Sequence, residues 1–202
     1  IKTPPVVILI MGLDSAKEEM FYNEQLFLDR GMATLTFDGP GQGEAEYDLS
    51  ICPEYEKPVQ AVIEFTKTRK DLDASSIGLW GVSMGGYYAP RAAAFCKNLK
   101  GCIALSGPFV LALCYDSLPE LTRSCFNYRS GGVDEKSIRD IASRMTLKDV
   151  AEQIECPLFI VSGSLDRVIP SEHAFMLEKA AKNASEIKHL AVADGGLSLI
   201  HI

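Results

Sequence analysis

Residues 81–85, with the sequence Gly-Val-Ser-Met-Gly, form a pattern that can build a nucleophilic serine at Ser83. They follow a short apolar run at 77–80 and precede an alanine-rich stretch at 87–95 that predicts a helix. A serine at a sharp turn from a strand into a helix is typical of the nucleophile elbow, whose flanking glycines avoid clashes around a strained backbone. An ordinary strand-to-helix turn that contains serine is the alternative, and the flanking elements favour the catalytic interpretation.

A serine hydroxyl needs a base to remove its proton and an acid to orient that base. Asp166 is the candidate acid, because it lies in the loop 162–170, directly after the apolar run 158–161. In elbow-type hydrolases the acid lies between the serine and the histidine along the chain. An aspartate in such a loop can instead form a turn or cap a helix. The order of residues favours the catalytic role.

The candidate base is harder to assign, since the sequence contains only three histidines. His173 falls in the helix expected after Asp166, where we predict that it is solvated. His189 opens the last predicted strand, at the edge of the sheet opposite to the serine. A base should follow that strand, and only His201 does so. Leu197 stands after Asp-Gly-Gly, where a histidine would be natural.

An oxyanion hole requires two backbone N–H groups that face the developing negative charge. Met84, directly after the serine, is one expected donor, and Leu13, in the loop after the first strand, is the other. Gly12 would let this loop approach the serine closely. The same loop residues could form a turn that caps the next helix, and the two roles are compatible.

Six apolar segments predict the strands that position these groups. They lie at 6–11, 32–37, 77–80, 101–107, 157–163 and 188–193. Helical patterns between them indicate a doubly wound, mostly parallel α/β sheet, in which ligands bind beyond the carboxyl ends of the strands. Six residues fall at or just past those ends: Gly12, Asp38, Ser83, Gly107, Asp166 and Asp194.

The segment 108–155 interrupts this alternation, since it shows helical patterns at 137–144 and 147–154 but no strand. We interpret it as a cap or lid within a single domain that covers residues 1–202. A long crossover connection with an ordinary helix is the alternative. Its apolar and aromatic members are candidates for an acyl pocket: Phe109, Leu113, Tyr115, Phe126 and Tyr128.

The composition is that of an ordinary globular protein, with 47% hydrophobic and 23% charged residues in a chain of 202. The net charge of −7 argues against a nucleic-acid partner, and no apolar run is long enough to cross a membrane. Six cysteines without C-x-x-C or metal-ligand spacing favour reduced thiols in a cytoplasmic protein that needs no metal and no cofactor. Because the chain begins with Ile1, we expect the true N-terminus to be missing; a lost targeting segment and a homodimer stay open.

The stretch 31–44, which contains Asp-Gly-Pro-Gly-Gln-Gly-Glu, resembles the α/β-hydrolases, as do the elbow and the Ser-Leu-Asp loop at 164–166. Residues 12–19 strengthen a similarity to the group that contains 2,6-dihydropseudooxynicotine hydrolase, fermentation–respiration switch esterases and fungal polyketide-shortening hydrolases. The resemblance implies hydrolysis of an ester, or of a carbon–carbon bond beside a ketone, in a small molecule. It also implies that Ser83 is the nucleophile and Asp166 the acid of the triad.

The resemblance fails at the base, because the family's histidine points to the position of Leu197. The family also has an N-terminal helical segment, opening strands and a final helix that this chain lacks. Residues 197–202 resemble translated sequencing adapter, so we expect the native chain to continue with a histidine and a last helix.

The competing hypothesis is a non-catalytic module of the same fold, or an inactive fragment. A nucleotide site at the glycine-rich residues 39–43 is less favoured, since the lysine and Ser/Thr of a P-loop are absent. In carbon–carbon cleavage the leaving carbanion must also gain a proton. Asp116 and Glu120 are candidate donors that fit a solvated surface equally well.

Overall fold

The computed structural model describes residues 3–195, in which six strands form one parallel sheet in the order β2-β1-β3-β4-β5-β6. The predicted doubly wound parallel sheet is therefore confirmed. The strands are β1 Pro5–Ile10, β2 Ala33–Thr36, β3 Asp73–Val82, β4 Gly101–Leu105, β5 Leu158–Gly163 and β6 Ile187–Val192.

The interior strand β1, which lies between β2 and β3, is apolar on both faces because each face is covered. Ile8 and Ile10 belong to a large core cluster on one face, whereas Val7 and Leu9 belong to a smaller cluster on the other. β-branched and leucine side chains at consecutive positions suit a strand that is buried on both sides. The sequence pattern of this strand therefore agrees with its burial on both faces of the sheet.

Within residues 3–195, six α-helices connect or flank the strands. They are α1 Phe21–Leu28, α2 Glu56–Thr68, α3 Gly85–Phe95, α4 Glu120–Ser130, α5 Glu135–Arg144 and α6 Glu172–Ala180. α3 packs on β3 and β4 and carries the alanines Ala89, Ala92 and Ala93 into the large cluster. Small side chains on this face let the helix lie close to the sheet.

The segment 108–155 between β4 and β5 contains α4, α5 and short 3₁₀ turns joined by loops, with one isolated antiparallel bridge between Val110 and Thr146 among the described residues. α5 begins with a capping box, in which the Ser137 N–H donates to Asp134 Oδ1 at 2.7 Å. The predicted helix at 147–154 is wrong except for a 3₁₀ turn at Ala151–Gln153. Asp149 has φ 62°, and a left-handed residue interrupts a helix.

The core of the 108–155 segment is continuous with that of the sheet, since Phe126, Ile138 and Met145 lie in the same cluster as β1 and α3. The expectation of an acyl pocket from five residues is only partly compatible with this packing. Tyr115 and Phe126 are buried against each other, with ring centroids 5.8 Å apart. Phe109 is also buried, whereas Leu113 and Tyr128 are exposed.

All six cysteines are free thiols. Burial raises the pKa of Cys114 to about 11 and raises that of Cys102 well above its usual value, so both stay protonated near neutral pH. No helix in the described part of the chain has the length and apolarity needed to cross a membrane.

Candidate active site

The Ser83 backbone lies at the sharp turn between β3 and α3. Its φ is 55°, in the left-handed region that residues other than glycine rarely adopt. Two hydrogen bonds hold it there: the Ser83 N–H donates to the Leu105 carbonyl at 2.9 Å, and the Gly86 N–H donates to the Ser83 carbonyl at 2.8 Å. The strained turn expected from the sequence is present at this position.

Glycines surround this turn where a side chain would collide with the backbone. A Cβ on Gly81 would lie 2.0 Å from the Gly85 carbonyl oxygen, and a Cβ on Gly85 would lie 2.0 Å from that of Ile10. A Cβ on Gly12 would lie 3.2 Å from the Cβ of Ser83. The loop after β1 therefore passes directly against the serine.

Two backbone amides beside Ser83 have no hydrogen-bond acceptor among the described residues. Neither the Leu13 N–H nor the Met84 N–H donates to any residue between 3 and 195, and both residues are buried. Buried amides without a partner are rare in folded proteins. Met84 also precedes the first turn of α3, where the helix dipole favours negative charge. These are the two amides that the sequence suggested as oxyanion donors.

Asp166 is buried in the loop after β5, with only half of its carboxylate paired. Oδ1 accepts hydrogen bonds from the amides of Val168 and Ile169, both at 2.9 Å. Oδ2 is buried and has no partner among residues 3–195. Since β3 and β5 are separated by β4, about 10 Å of sheet lies between the two strand ends. A third group is needed to connect Asp166 with Ser83.

His173 does not supply that connection, and the prediction that it is solvated is wrong. It is 4% exposed in α6, and its Nδ1 accepts a hydrogen bond from the Phe109 N–H at 2.9 Å. Burial lowers its pKa, against the opposing effect of Glu172. The imidazole is therefore neutral and fastens α6 to the loop after β4.

His189 uses both ring nitrogens for contacts within β5, β6 and α6. Nδ1 lies 2.8 Å from Glu178 Oε2, and Nε2 lies 2.9 Å from Ser162 Oγ. Among the described residues, no histidine forms a hydrogen bond with Ser83 or Asp166. Leu197 and His201 lie outside residues 3–195.

The glycine-rich loop after β2 places Gln42 against the loop after β1, which the sequence did not indicate. Gln42 Nε2 donates to the carbonyls of Met11 and Gly12 at 2.9 and 2.7 Å. Its Oε1 accepts from the Tyr55 hydroxyl at 2.5 Å. The sequence feature that could have indicated this buried amide is a glutamine between two glycines, in a loop at the carboxyl edge of the sheet.

Arg129 of α4 is a second contact that the sequence did not indicate. Its Nη1 donates to the carbonyls of Leu13 and Gly41, and its Nη2 lies 2.6 Å from Glu46 Oε2. Both charged side chains are largely buried. Arg129 therefore joins the 108–155 segment to the loops after β1 and β2.

Asp38, which follows β2, is held as an ion pair with Lys17. Its Oδ2 lies 2.7 Å from Lys17 Nζ, and its carboxylate also accepts from the Lys17 and Glu44 amides. Burial acts to raise the pKa of Asp38, but these hydrogen bonds outweigh it and the pKa is lowered. The position is structural, since it shapes the loop that carries Gln42.

Asp116, one of the two candidate proton donors, lies in an exposed ion pair. Arg139 binds both of its carboxylate oxygens, at 2.6 and 3.1 Å, and lowers its pKa. An ionised surface carboxylate is a poor proton donor near neutral pH. Among residues 3–195, no group of His, Cys, Asp or Glu side chains could hold a metal ion.

The sequence was compared with protein families and known proteins. The sequence model of the prolyl oligopeptidase family matches residues 19–195. The chain is 38% identical to 2,6-dihydropseudooxynicotine hydrolase of Paenarthrobacter nicotinovorans, over 84% of this chain and 49% of the relative. It is 40% identical to hydrolyase ccsE of Aspergillus clavatus, over 52% of this chain and 26% of the relative. The chain thus spans about half the length of the first relative.

The fold is also similar to that of a hydrolase of this kind. The crystal structure of 2,6-dihydroxy-pseudo-oxynicotine hydrolase superposes with a TM-score of 0.91 at 34% identity, covering 98% of this chain and 57% of that one. Est1E from Butyrivibrio proteoclasticus, solved with ferulic acid, superposes with a TM-score of 0.76 at 19% identity. It covers 98% of this chain and 85% of Est1E, and at this identity it shows a shared fold only.

Proposed function

Because this chain belongs to the prolyl oligopeptidase family of α/β-hydrolases, we propose that it is the catalytic part of a serine hydrolase. The substrate class is a small molecule that carries either an ester or a carbon–carbon bond beside a ketone. The relative named 2,6-dihydropseudooxynicotine hydrolase supports this class, because its similarity extends over 84% of this chain, against 52% for hydrolyase ccsE.

In the first step a base removes the proton of Ser83, and Oγ attacks the substrate carbonyl. The carbonyl oxygen becomes an oxyanion that the Leu13 and Met84 amides bind. The tetrahedral intermediate collapses to an acyl-enzyme as the leaving group departs with a proton. Water, activated by the same base, then releases the acyl group and restores Ser83.

The observation that carries this proposal is the strained backbone of Ser83, with φ 55°, beside two buried amides that find no acceptor in the described part of the chain. Structural roles rarely require both features. Strain at a non-glycine residue costs on the order of 1–3 kcal/mol and clusters at functional sites. Two unpaired amides beside a hydroxyl form a ready site for an oxyanion.

Asp166 is proposed as the acid that orients the base. Its Oδ1 is fixed by two amides, whereas its buried Oδ2 has no partner within residues 3–195. That free oxygen can accept the N–H of an imidazole that follows β6. His201 is the histidine that the sequence offers there, and position 197 is where the family resemblance expects one.

A fluorophosphonate probe, applied to the protein expressed from its whole gene, tests the nucleophile. We expect labelling on the peptide that contains Ser83, and none in Ser83→Ala. Hydrolysis of an aryl ester should fall on the order of 10⁶-fold in Ser83→Ala and about 10⁴-fold in Asp166→Asn. A panel of aryl esters and β-diketones would then separate ester from carbon–carbon cleavage. Labelling that persists in Ser83→Ala would exclude this serine as the nucleophile.

A non-catalytic module of the same fold is the second candidate. It is favoured by one observation, that no described histidine bonds to Ser83 or Asp166. The two candidates differ in the probe experiment, since phosphonylation of Ser83 requires a working base. A folded wild-type protein that is neither labelled nor active on the panel would support the module.

A further inference from the structure

Three successive carbonyls in the loop after β1 are bound by side chains from distant parts of the chain. Gln42 Nε2 donates to Met11 and Gly12, and Arg129 donates to Leu13. Gln42 is 1% exposed, so its two hydrogen bonds are shielded from water. A loop beside the candidate nucleophile is thus fixed through its carbonyl oxygens, while its Leu13 amide is left unpaired.

The hydrogen bond to Gly12 determines where the Leu13 N–H points. The Gly12 carbonyl and the Leu13 N–H belong to one peptide unit, and the chain has no cis peptide bond among residues 3–195. In a trans peptide these two groups point in opposite directions. Glycine gives the unit little resistance to a flip about its own backbone torsion. Gln42 supplies that resistance, because a flip would break its 2.7 Å hydrogen bond.

The orientation of the Gln42 amide is determined by its surroundings. Two carbonyl acceptors require the NH₂ group on one side, so Oε1 faces Tyr55. Burial raises the pKa of Tyr55 well above its usual value, so its hydroxyl stays protonated and donates to Oε1. A Cβ on Gly39 would lie 1.9 Å from the Tyr55 hydroxyl, so this glycine leaves space for the contact.

We propose that Gln42 is a positioning residue of the oxyanion hole, and that Tyr55 holds it in place. Gln42 keeps the Gly12–Leu13 peptide in the orientation that presents the Leu13 N–H to the tetrahedral intermediate. This inference rests on the proposed function, in which Ser83 is the nucleophile and Leu13 an oxyanion donor. It gives a catalytic reason for the Asp-Gly-Pro-Gly-Gln-Gly sequence at 38–43.

A purely structural role would also make Gln42 important, since its loss leaves two buried carbonyls unpaired. Loss of stability therefore does not distinguish the two roles. Affinity for an oxyanion does. An aryl trifluoromethyl ketone adds to the serine and forms a tetrahedral oxyanion, whereas the matching methyl ketone binds as a ground-state analogue.

The test compares Gln42→Leu and Tyr55→Phe with the wild type, on the protein expressed from its whole gene. Tyr87→Phe is the matched control, because Tyr87 is a neighbouring buried tyrosine whose hydroxyl donates to the Pro53 carbonyl at 2.7 Å. Within residues 3–195, Tyr87 forms no hydrogen bond with Gln42 or with the loop after β1. Each variant is measured for ester hydrolysis, for inhibition by both ketones and for thermal stability.

We expect Gln42→Leu to lower kcat/KM by about 10²–10³-fold, the usual cost of one oxyanion donor, with most of the loss in kcat. Inhibition by the trifluoromethyl ketone should weaken by a similar factor, and inhibition by the methyl ketone by less than about threefold. Tyr55→Phe should lower kcat/KM about fivefold, because one hydrogen bond is lost. Tyr87→Phe should lower it less than about twofold.

The inference is overturned if Gln42→Leu keeps kcat/KM and trifluoromethyl ketone affinity within about threefold of wild type. If that variant does not fold, equal effects of Tyr55→Phe and Tyr87→Phe overturn it instead. A folded wild type that hydrolyses no ester and binds neither phosphonate nor ketone covalently refutes the proposed function itself, and the inference with it. An active wild type with an unaffected Gln42→Leu refutes only the inference.

Discussion

At the scale of single residues, one imidazole nitrogen holds the start of the 108–155 segment. His173 Nδ1 accepts from the Phe109 N–H at 2.9 Å, and the ring is 4% exposed. A protonated imidazole has no acceptor nitrogen, so it cannot make this contact. Protonation would also place a charge in an apolar environment, which agrees with the lowered pKa.

Stability should therefore fall as the pH drops below about 6.5, the usual pKa of histidine in an unfolded chain. The folded pKa is lowered, so the unfolded state binds the proton first and gains stability relative to the folded state. Urea unfolding at several pH values between 5 and 8 measures this loss. His173→Asn can still accept from the Phe109 amide through Oδ1 but does not titrate. If this variant keeps the full pH dependence of the wild type, the loss has another source.

The sequence predicts the role of a residue where neighbouring residues determine it. It does not predict a role that depends on contacts with distant parts of the chain. Ser83 and Met84 follow from the strand-turn-helix sequence around them, and their backbone surroundings agree with it. The position of His173 in the helix after Asp166 predicts a solvated side chain, yet its ring accepts a hydrogen bond from a loop 64 positions away. The contacts of Gln42 and Arg129 with backbone carbonyls span 30 positions or more, which no local pattern reports.

At the scale of elements, α4 is fastened to the sheet through a charged contact. Arg129 reaches the carbonyls of Leu13 and Gly41 and pairs with Glu46, and each side chain of that pair is 14% exposed. A largely buried pair costs desolvation energy when it forms but is expensive to break, since one charge is then left alone. Arg139 of α5 forms an exposed pair with Asp116 on the same segment.

Because one of these two ion pairs is largely buried and the other is exposed, we expect the same substitution to lower the free energy of unfolding by different amounts. Arg129→Met should destabilise the protein by about 3 kcal/mol, because Glu46 and two carbonyls lose their partner. Arg139→Met should destabilise the protein far less, because its partner Asp116 remains solvated. Urea unfolding gives both values, and limited proteolysis near α4 should be faster only in Arg129→Met. Equal free-energy losses in the two variants would contradict the structural role assigned to Arg129.

The strands were more predictable than the helices of the 108–155 segment. An apolar run such as 6–11 describes a strand covered on both faces, whatever covers it. The sequence does not predict α4, because its apolar residues do not mark one buried face. Phe126 is buried, whereas Leu121 and Tyr128 are exposed. The expected helix at 147–154 was lost to Asp149, whose left-handed backbone depends on the packing around it.

At the scale of the molecule, the candidate site is built from chain segments that only the complete sheet brings together. Loops after β1, β2, β3 and β5 contribute Leu13, Gln42, Ser83 and Asp166. The large core cluster extends from β1 through the 108–155 segment to α6. No part of the site therefore rests on a separately packed unit among the described residues. The site should persist only while the sheet does.

We therefore expect loss of the site and loss of the sheet to coincide in urea. Trp80 is the only tryptophan of the chain, is 6% exposed, and lies in β3 three positions before Ser83. Its fluorescence reports the elbow strand, while far-UV circular dichroism reports the helices. Both signals, and phosphonate labelling of Ser83, should follow one transition with a common midpoint, as expected for one cooperative core. If labelling disappears at urea concentrations where the Trp80 signal is still native, the loops around Ser83 unfold independently of the sheet.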